Sequence, residues 1–310
     1  MGDVRGVLKT LPIKYIQTVV TSPPYWGLRD YQTVPVMWGD VTGCEHAWDN
    51  SSTPKTKLGI SGHQDSKWKS LNCEKCTPGE VCKYCGAWYG QLGLEPTPEL
   101  YVEHLVEIFR EVKRVLRDDG TLWLNLGDSY AAGGRGGGSG SYARDGLHCG
   151  RESKNMPPLK PPKGLKPKDL VGIPWMVAFA LRADGWYLRS DIIWNKPNSM
   201  PESARDRPTK SHEYIFLLSK SKKYYYDINT IRGPHKRGRN KRSVWTINTQ
   251  PYPDAHFATF PPEIPRICIM AGTSEAGCCV NSITKLKIRE DLTPEEYKEV
   301  TGYLKQKGLI

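Results

Sequence analysis

The sequence predicts an α/β fold with parallel strands in its sheet, and three stretches carry that expectation. The β-branched run from Ile16 to Val20 reads as a buried strand. Residues 97–116 place Leu100, Val102, Leu105, Ile108, Phe109, Val112, Val115 and Leu116 on one stripe of a helix, capped by Thr97 with Pro98 in its first turn. Arg117-Asp118-Asp119-Gly120 then reads as a turn into an apolar strand over 121–126, completing a crossover unit of the kind that builds parallel sheets.

Ahead of the first strand, Val4, Val7, Leu8 and Leu11 suit the apolar face of a short helix, with Asp3 placed to cap it. The strand itself stops at Thr21-Ser22-Pro23-Pro24-Tyr25. Consecutive prolines supply no amide donors and cannot extend a ladder, and they bias Ser22 towards extended backbone. The Ser22 hydroxyl, the Pro23 carbonyl and the Tyr25 ring can therefore be held in fixed relation at a strand end. Such a pair of acceptors suits a conjugated exocyclic amine. Accepting both N–H bonds draws the nitrogen towards tetrahedral geometry and frees its lone pair. An ordinary strand-to-loop turn with a packed tyrosine is the alternative.

From residue 42 to 94 no helix or strand period holds, and the stretch is too long for a plain loop. It carries Cys44 and His46, then Cys73 and Cys76, then Cys82 and Cys85, the ligand types of structural zinc. Cys73, Cys76, Cys82 and Cys85 form one candidate set, with a tight path between the two pairs. Cys44, His46, Cys82 and Cys85 form another, and free thiols are a third reading.

Beyond the central strand, the glycine-rich stretch 133–141 reads as a loop rather than a nucleotide cradle, because no helix signal follows it. Residues 170–181 read as an apolar helix, 185–194 as a strand and 212–218 as another. The polar, proline-stiffened Asn195-Lys196-Pro197 leaves the first of this pair. The densest basic run includes Lys236, Arg237, Arg239, Lys241 and Arg242 with aromatics before it, within a basic region spanning 220–250. Such a run is either a solvated face or a phosphate contact. Residues 256–272 read as a lead-in and an amphipathic helix entered through Pro261-Pro262, and 293–304 as a last helix.

The chain has 310 residues, 38% of them hydrophobic, and a formal net charge of +11, which favours a polyanionic partner. No apolar window is long enough to span a membrane. Nine cysteines without a secretory signal point to a reducing, cytoplasmic setting rather than a disulfide framework.

Two of these stretches resemble one family. Thr21-Ser22-Pro23-Pro24-Tyr25-Trp26 resembles motif IV of the amino-methylating DNA methyltransferases, and residues 256–272 resemble motif X of their circularly permuted class. The resemblance covers residue 2 to about 279. It implies a Rossmann-like methyltransferase sheet, S-adenosyl-L-methionine as methyl donor, double-stranded DNA as partner with the target base flipped out, and a place in restriction and modification. By resemblance Ser22 and Pro23 accept from the target amine, Pro24 stiffens the turn and Tyr25 stacks on the base. His256, Thr259, Phe260 and Pro261 touch the cofactor, as would Asp3 if it is not simply a cap. Asn195, Lys196 and Pro197 line the base pocket. Relatives carry a similar Cys-x-His followed by Cys-x-x-Cys-Gly-Ala-Trp, which favours the ligand set Cys44, His46, Cys82 and Cys85. Serine at the head of motif IV leans towards cytosine N4 over adenine N6.

The permuted class continues motif X with a strand and an Asp-Pro-Phe-x-Gly-x-Gly turn, which this sequence does not repeat. The expectation is therefore a sheet incomplete at the C-terminus. That leaves an enzyme active alone, a half-enzyme completed by a second polypeptide, or an inactive DNA-binding remnant. The domain reading is a catalytic domain of 1–41 with 95–279, a Cys/His-rich insert of 42–94, and a helical tail of 280–310.

Overall fold

The computed structural model describes residues 3–28, 31, 33–39, 43–49, 81–131, 161, 164–232, 239–250 and 259–274. Cys73, Cys76, Lys236, Arg237, His256, the glycine-rich stretch 133–141 and the helix expected at 293–304 lie outside them. In chain order the elements are α1 (Val4–Lys9), β1 (Ile16–Thr21), β2 (Val36–Trp38), β3 (Trp48–Asp49), β4 (Val81–Cys82), β5 (Trp88–Gly90), α2 (Pro98–Val115), β6 (Leu116–Leu126), α3 (Ile173–Ala183), β7 (Tyr187–Asn195), β8 (His212–Ser219), β9 (Val244–Thr246) and α4 (Glu263–Gly272).

The main sheet has the strand order β1-β6-β8-β7-β9. β1 and β6 pair in parallel, as the crossover through α2 requires, while β8 lies antiparallel to both β6 and β7. The chain thus makes β7 first and then turns back to wedge β8 between β7 and β6. β9 joins β7 in parallel from within the basic region, where no strand is expected from sequence. Its three residues are anchored by Trp245, buried against Trp123 and Trp194.

Helices cover both faces, the arrangement of a doubly wound sheet. α2 and α3 bury Tyr101, Leu105, Phe109, Val177 and Leu181 against Leu122, Leu124, Phe216 and Leu218. On the other face α4 buries Ile264, Ile267 and Cys268 against Trp123, Ile215, Leu217 and Trp245. Each large side chain removed from water in this way contributes about 1.5–3 kcal/mol. The C-terminal end of α4 meets the start of β1 through Ser274 N and Gln17 Oε1, while Glu263, Arg266 and Ile267 nearer its N-terminal end line a cleft with Arg239 and Lys241 before β9.

The central strand begins earlier than the sequence suggests. The expected turn at residues 117–120 belongs to β6, because Leu116 already has extended backbone at the end of α2. Ile16 pairs with Leu116 and Thr18 with Thr121, so residues 117–120 bulge from the ladder rather than reversing the chain. The smaller sheet, β2-β5-β4-β3, also crosses an expected boundary, since β2 at 36–38 precedes the 42–94 insert and pairs with β5 inside it. No described helix is long and apolar enough to cross a membrane.

Candidate active site

β1 releases residues 22–25 beside the end of β6, at the C-terminal edge of the parallel pair. Tyr25 lies directly over Gly127, the residue after β6. A Cβ there would sit 2.5 Å from Tyr25 Cε2, so only glycine admits the ring in this position. The Tyr25 hydroxyl donates to Glu213 Oε2 at 2.6 Å, and Ser22 Oγ donates to the Tyr25 hydroxyl at 3.2 Å. Glu213, the second residue of β8, also accepts from Asn125 Nδ2 at 3.0 Å and, through Oε1, from Lys196 Nζ at 2.8 Å. Four segments far apart in sequence therefore meet at one carboxylate.

Those three donors satisfy Glu213 as an anion, which sets the direction of the chain of hydroxyls. The proton of Tyr25 points to Glu213 and the proton of Ser22 points to Tyr25, leaving the lone pairs of Ser22 Oγ free to accept. Burial, and then the charge of Glu213, push the Tyr25 hydroxyl well above its ordinary range, so it remains a donor. The neighbouring carbonyls divide in the same way. Pro24 O accepts from the Tyr101 hydroxyl at 2.7 Å, whereas Pro23 O has no partner among the described residues.

The other side of the loop is held by residues that sequence reasoning missed. Trp26 Nε1 donates to Glu95 O at 2.9 Å, and Gly27 N to Gly93 O at 2.8 Å. Gly93 has a φ of +94°, and a side chain there would press on Tyr25 O and Pro24 Cβ. Glu95 Oε2 accepts from Gly93 N at 2.8 Å and Oε1 is bonded to His104 Nδ1 at 2.9 Å, with the carboxylate fully buried. His104 stacks on the rings of Trp38 and Trp88, with centroids 4.4 and 5.4 Å away. No motif spacing marks Glu95 or His104, which in sequence are a loop acid and one polar position of an amphipathic helix.

Asp3 serves as the cap of α1. Its Oδ1 accepts from Arg5 N at 2.9 Å and pairs with Arg5 Nε, and the Arg5 guanidinium lies 4.0 Å from the centre of the Trp38 ring.

Cys44, His46, Cys82 and Cys85 present ligand atoms that all lie within 4.8 Å of one another. Cys44 Sγ and Cys82 Sγ are 3.9 Å apart, and Cys85 Sγ and His46 Nδ1 3.4 Å. A tetrahedral ion at about 2.3 Å from sulfur would separate its thiolates by about 3.8 Å, so the donor set has the size and chemistry for zinc. Burial opposes ionisation of Cys82, but the amides of Cys85 and Tyr84 and the side chain of His46 outweigh it and hold that thiol down at about 5. Burial and the Cys85 and Cys82 thiols push Cys44 up to about 12.

The DNA-contact candidates separate in space. Lys196 turns inward onto Glu213, with 18% of its side chain exposed, and Asn195 Nδ2 reaches Thr246 Oγ1 at 3.3 Å. Arg239, Lys241 and Arg242 are exposed just before β9. Arg239 and Lys241 line a cleft against α4 together with Arg232, Arg266 and Glu263. Of the cofactor candidates, Thr259 is exposed, Phe260 packs partly into the α4 core and Pro261 is buried at the start of that helix.

This loop and sheet can be set beside known proteins. Residues 16–282 match the family model described as DNA methylase (N6_N4_Mtase). The chain belongs to this family. Its relatives include the Type II methyltransferase M.SmaI of Serratia marcescens, 44% identical over 281 residues, covering 89% of this chain and 75% of that protein. The Type II methyltransferase M.Cfr9I of Citrobacter freundii is 45% identical over 274 residues, covering 88% and 71%. Among solved structures, a PvuII DNA methyltransferase described as cytosine-N4-specific shares the fold with a TM-score of 0.50 at 15% identity, covering 98% of this chain and 84% of that one. The family places residues 22–25 in a DNA methylase, an enzyme that acts on DNA.

Proposed function

We propose that this DNA methylase transfers a methyl group from S-adenosyl-L-methionine to the exocyclic amine of a base flipped out of double-stranded DNA, with cytosine N4 favoured over adenine N6. The observation that carries the reading is the directed chain from Ser22 through Tyr25 to Glu213. It turns a hydroxyl that is ordinarily both donor and acceptor into a committed acceptor. Ser22 Oγ and Pro23 O then take the two N–H bonds of the amine and localise its lone pair for attack. Tyr25, fixed by Gly127 beneath and Glu213 at its hydroxyl, offers a rigid ring for the base to stack on. Bound S-adenosyl-L-methionine supplies the electrophilic methyl group. Thr259 and Phe260, just before α4, offer its amino-acid end a hydroxyl and a half-buried aromatic face.

Lys196 serves the pocket through Glu213 in this reading, while Arg239, Lys241 and Arg242 contact DNA phosphates. The preference for cytosine rests on the serine of the motif and on the name of the PvuII protein that shares the fold. Cys44, His46, Cys82 and Cys85 hold a structural zinc that fixes the small sheet. The interlocked pocket favours an enzyme over a DNA-binding remnant, which would have no use for a buried carboxylate aligning two hydroxyls.

The test is methyl transfer from labelled S-adenosyl-L-methionine to mixed-sequence DNA by wild type and Ser22→Ala, with mass spectrometry of the nucleosides. N4-methylcytosine from wild type alone is the expected result. N6-methyladenine would keep the chemistry and change the base, and no methylated base at all would sink the reading.

A further inference from the structure

Lys210 stands two residues before β8, next to the pocket, and none of the roles above uses it. Its Nζ is buried, and it has no hydrogen-bond partner among the described residues. Its neighbour Ser211 accepts through its carbonyl from Lys196 N at 2.7 Å, and Lys196 Nζ holds Glu213, so Lys210 stands beside the residues that hold Tyr25, with the charges of Asp128, Glu213, Lys196 and Glu202 acting on it. Two other buried polar atoms without hydrogen-bond partners among the described residues belong to the same strand exit. They are Asn125 Oδ1, two residues before Gly127, and Ser129 Oγ, two residues after it.

Neighbouring acids do not explain the lysine as a structural ion pair. Asp128 is committed to the N-terminus of α3, accepting from Gly172 N at 3.0 Å and Ile173 N at 3.1 Å. Glu213 is taken by Tyr25, Asn125 and Lys196, and Glu202 by Arg207. Burial pulls the Lys210 ammonium below its ordinary range against the pull of those acids. A buried amine left without a partner costs stability, and such costs persist in native folds chiefly where a ligand will supply what is missing.

We propose that Lys210 contacts the target nucleotide, donating from Nζ to an acceptor oxygen of the nucleotide whose amine Ser22 and Pro23 hold. The proposal rests on the base-pocket reading given above. Two oxygens share this chemistry, a base carbonyl and a phosphate oxygen, and both leave the amine free for Ser22.

The experiment compares wild type, Lys210→Met and Lys210→Arg as full-length protein. Methionine keeps the aliphatic stem and removes the amine. Without DNA, the melting temperature of Lys210→Met should equal that of wild type or exceed it by about 2–4 °C, because an unpaired buried donor is gone. Methyl transfer to DNA should fall roughly 10- to 100-fold in kcat/KM, the range for one hydrogen bond to a charged donor, with Lys210→Arg retaining part of it. Binding is then measured to a duplex carrying the methylated position intact and to one abasic there. A wild-type advantage lost on the abasic duplex assigns the contact to the base, and an advantage retained assigns it to phosphate. Unchanged kcat/KM in Lys210→Met would overturn the proposal, as would a lower melting temperature with activity lost only in proportion. If wild type methylates and Ser22→Ala does not, either result falls on Lys210 alone. If wild type methylates no base, the pocket reading fails first and the proposal falls with it.

Discussion

The two flanks of the loop at residues 22–27 are built on opposite principles. On the flank formed by Gly93, Glu95, Tyr101 and His104, the hydroxyl, carboxylate and imidazole groups are paired within the fold, and the indole N–H of Trp88 lacks a partner among the described residues. On the flank formed by the end of β6 and the start of β8, Asn125 Oδ1, Ser129 Oγ and Lys210 Nζ are buried without partners among the described residues. Both flanks are buried and polar, so dielectric alone does not separate them. The difference is that the first must keep the loop in one shape, whereas the second receives a molecule bringing its own donors and acceptors. A fully satisfied network rigidifies, and an unsatisfied one stores a cost that binding relieves.

That contrast can be broken from either side. The largest effect is expected from Ser22→Ala, which deletes the committed acceptor on the open flank. Removing one preorganised hydrogen-bonding group of this kind should lower kcat roughly 100- to 1,000-fold while leaving the melting temperature near that of wild type. Single-turnover methylation and calorimetry together check it. Gly127→Ala should cost roughly 100-fold in activity, because the added methyl displaces the Tyr25 ring from its position. A variant that stayed fully active would show that the ring need not lie there.

On the closed flank the effect should appear as stability instead. Glu95→Ala strips His104 and Gly93 N of their shared partner, and breaking a buried pair of this kind costs about 3–5 kcal/mol. Denaturant unfolding measures it, with the activity of the folded fraction largely retained. Chelation of the zinc proposed at Cys44, His46, Cys82 and Cys85 should reach the same flank through Trp88, whose strand pairs with the one carrying Cys82. Elemental analysis should find about one zinc per chain, and its removal should lower the melting temperature more than it lowers kcat at low temperature. The smallest effect is expected from Arg239→Gln, on neither flank. Its loss should reduce the slope of log affinity against log salt by about 0.9, the signature of one phosphate contact, without changing the base methylated.

Much of this site is written in short stretches of chain. Residues 16–25 give both the strand and its abrupt end, because β-branched residues and consecutive prolines act on their own backbone. The cap of α1 by Asp3 and the stripe of α2 are local for the same reason. The donor types for a metal were also visible, as Cys44 with His46 and Cys82 with Cys85, since ligand spacing within each pair is a local matter. Which pairs converge was not a local matter, since the chain between them carries no period from which to build a path, and only the resemblance favoured the set Cys44, His46, Cys82 and Cys85 whose ligand atoms lie together.

The residues that complete the pocket were hidden by distance. Glu213 lies 188 positions from Tyr25 and 88 from Asn125, and Glu95 is marked by no pattern at all. In sequence, Glu213 is a polar residue at a strand entrance; Lys196 was expected at the base pocket by resemblance, but its bond to Glu213 was not. Only the insertion of β8 antiparallel between β6 and β7 brings Glu213 beside Asn125, Lys196 and Tyr25. By itself the sequence determined the loop that presents Ser22, through the stereochemistry of its prolines, and the helices whose period matches the core. The tertiary structure decided which way the Ser22 proton points, because that depends on a carboxylate delivered by strand order, and strand order is set by packing over the whole sheet rather than by any neighbouring residue.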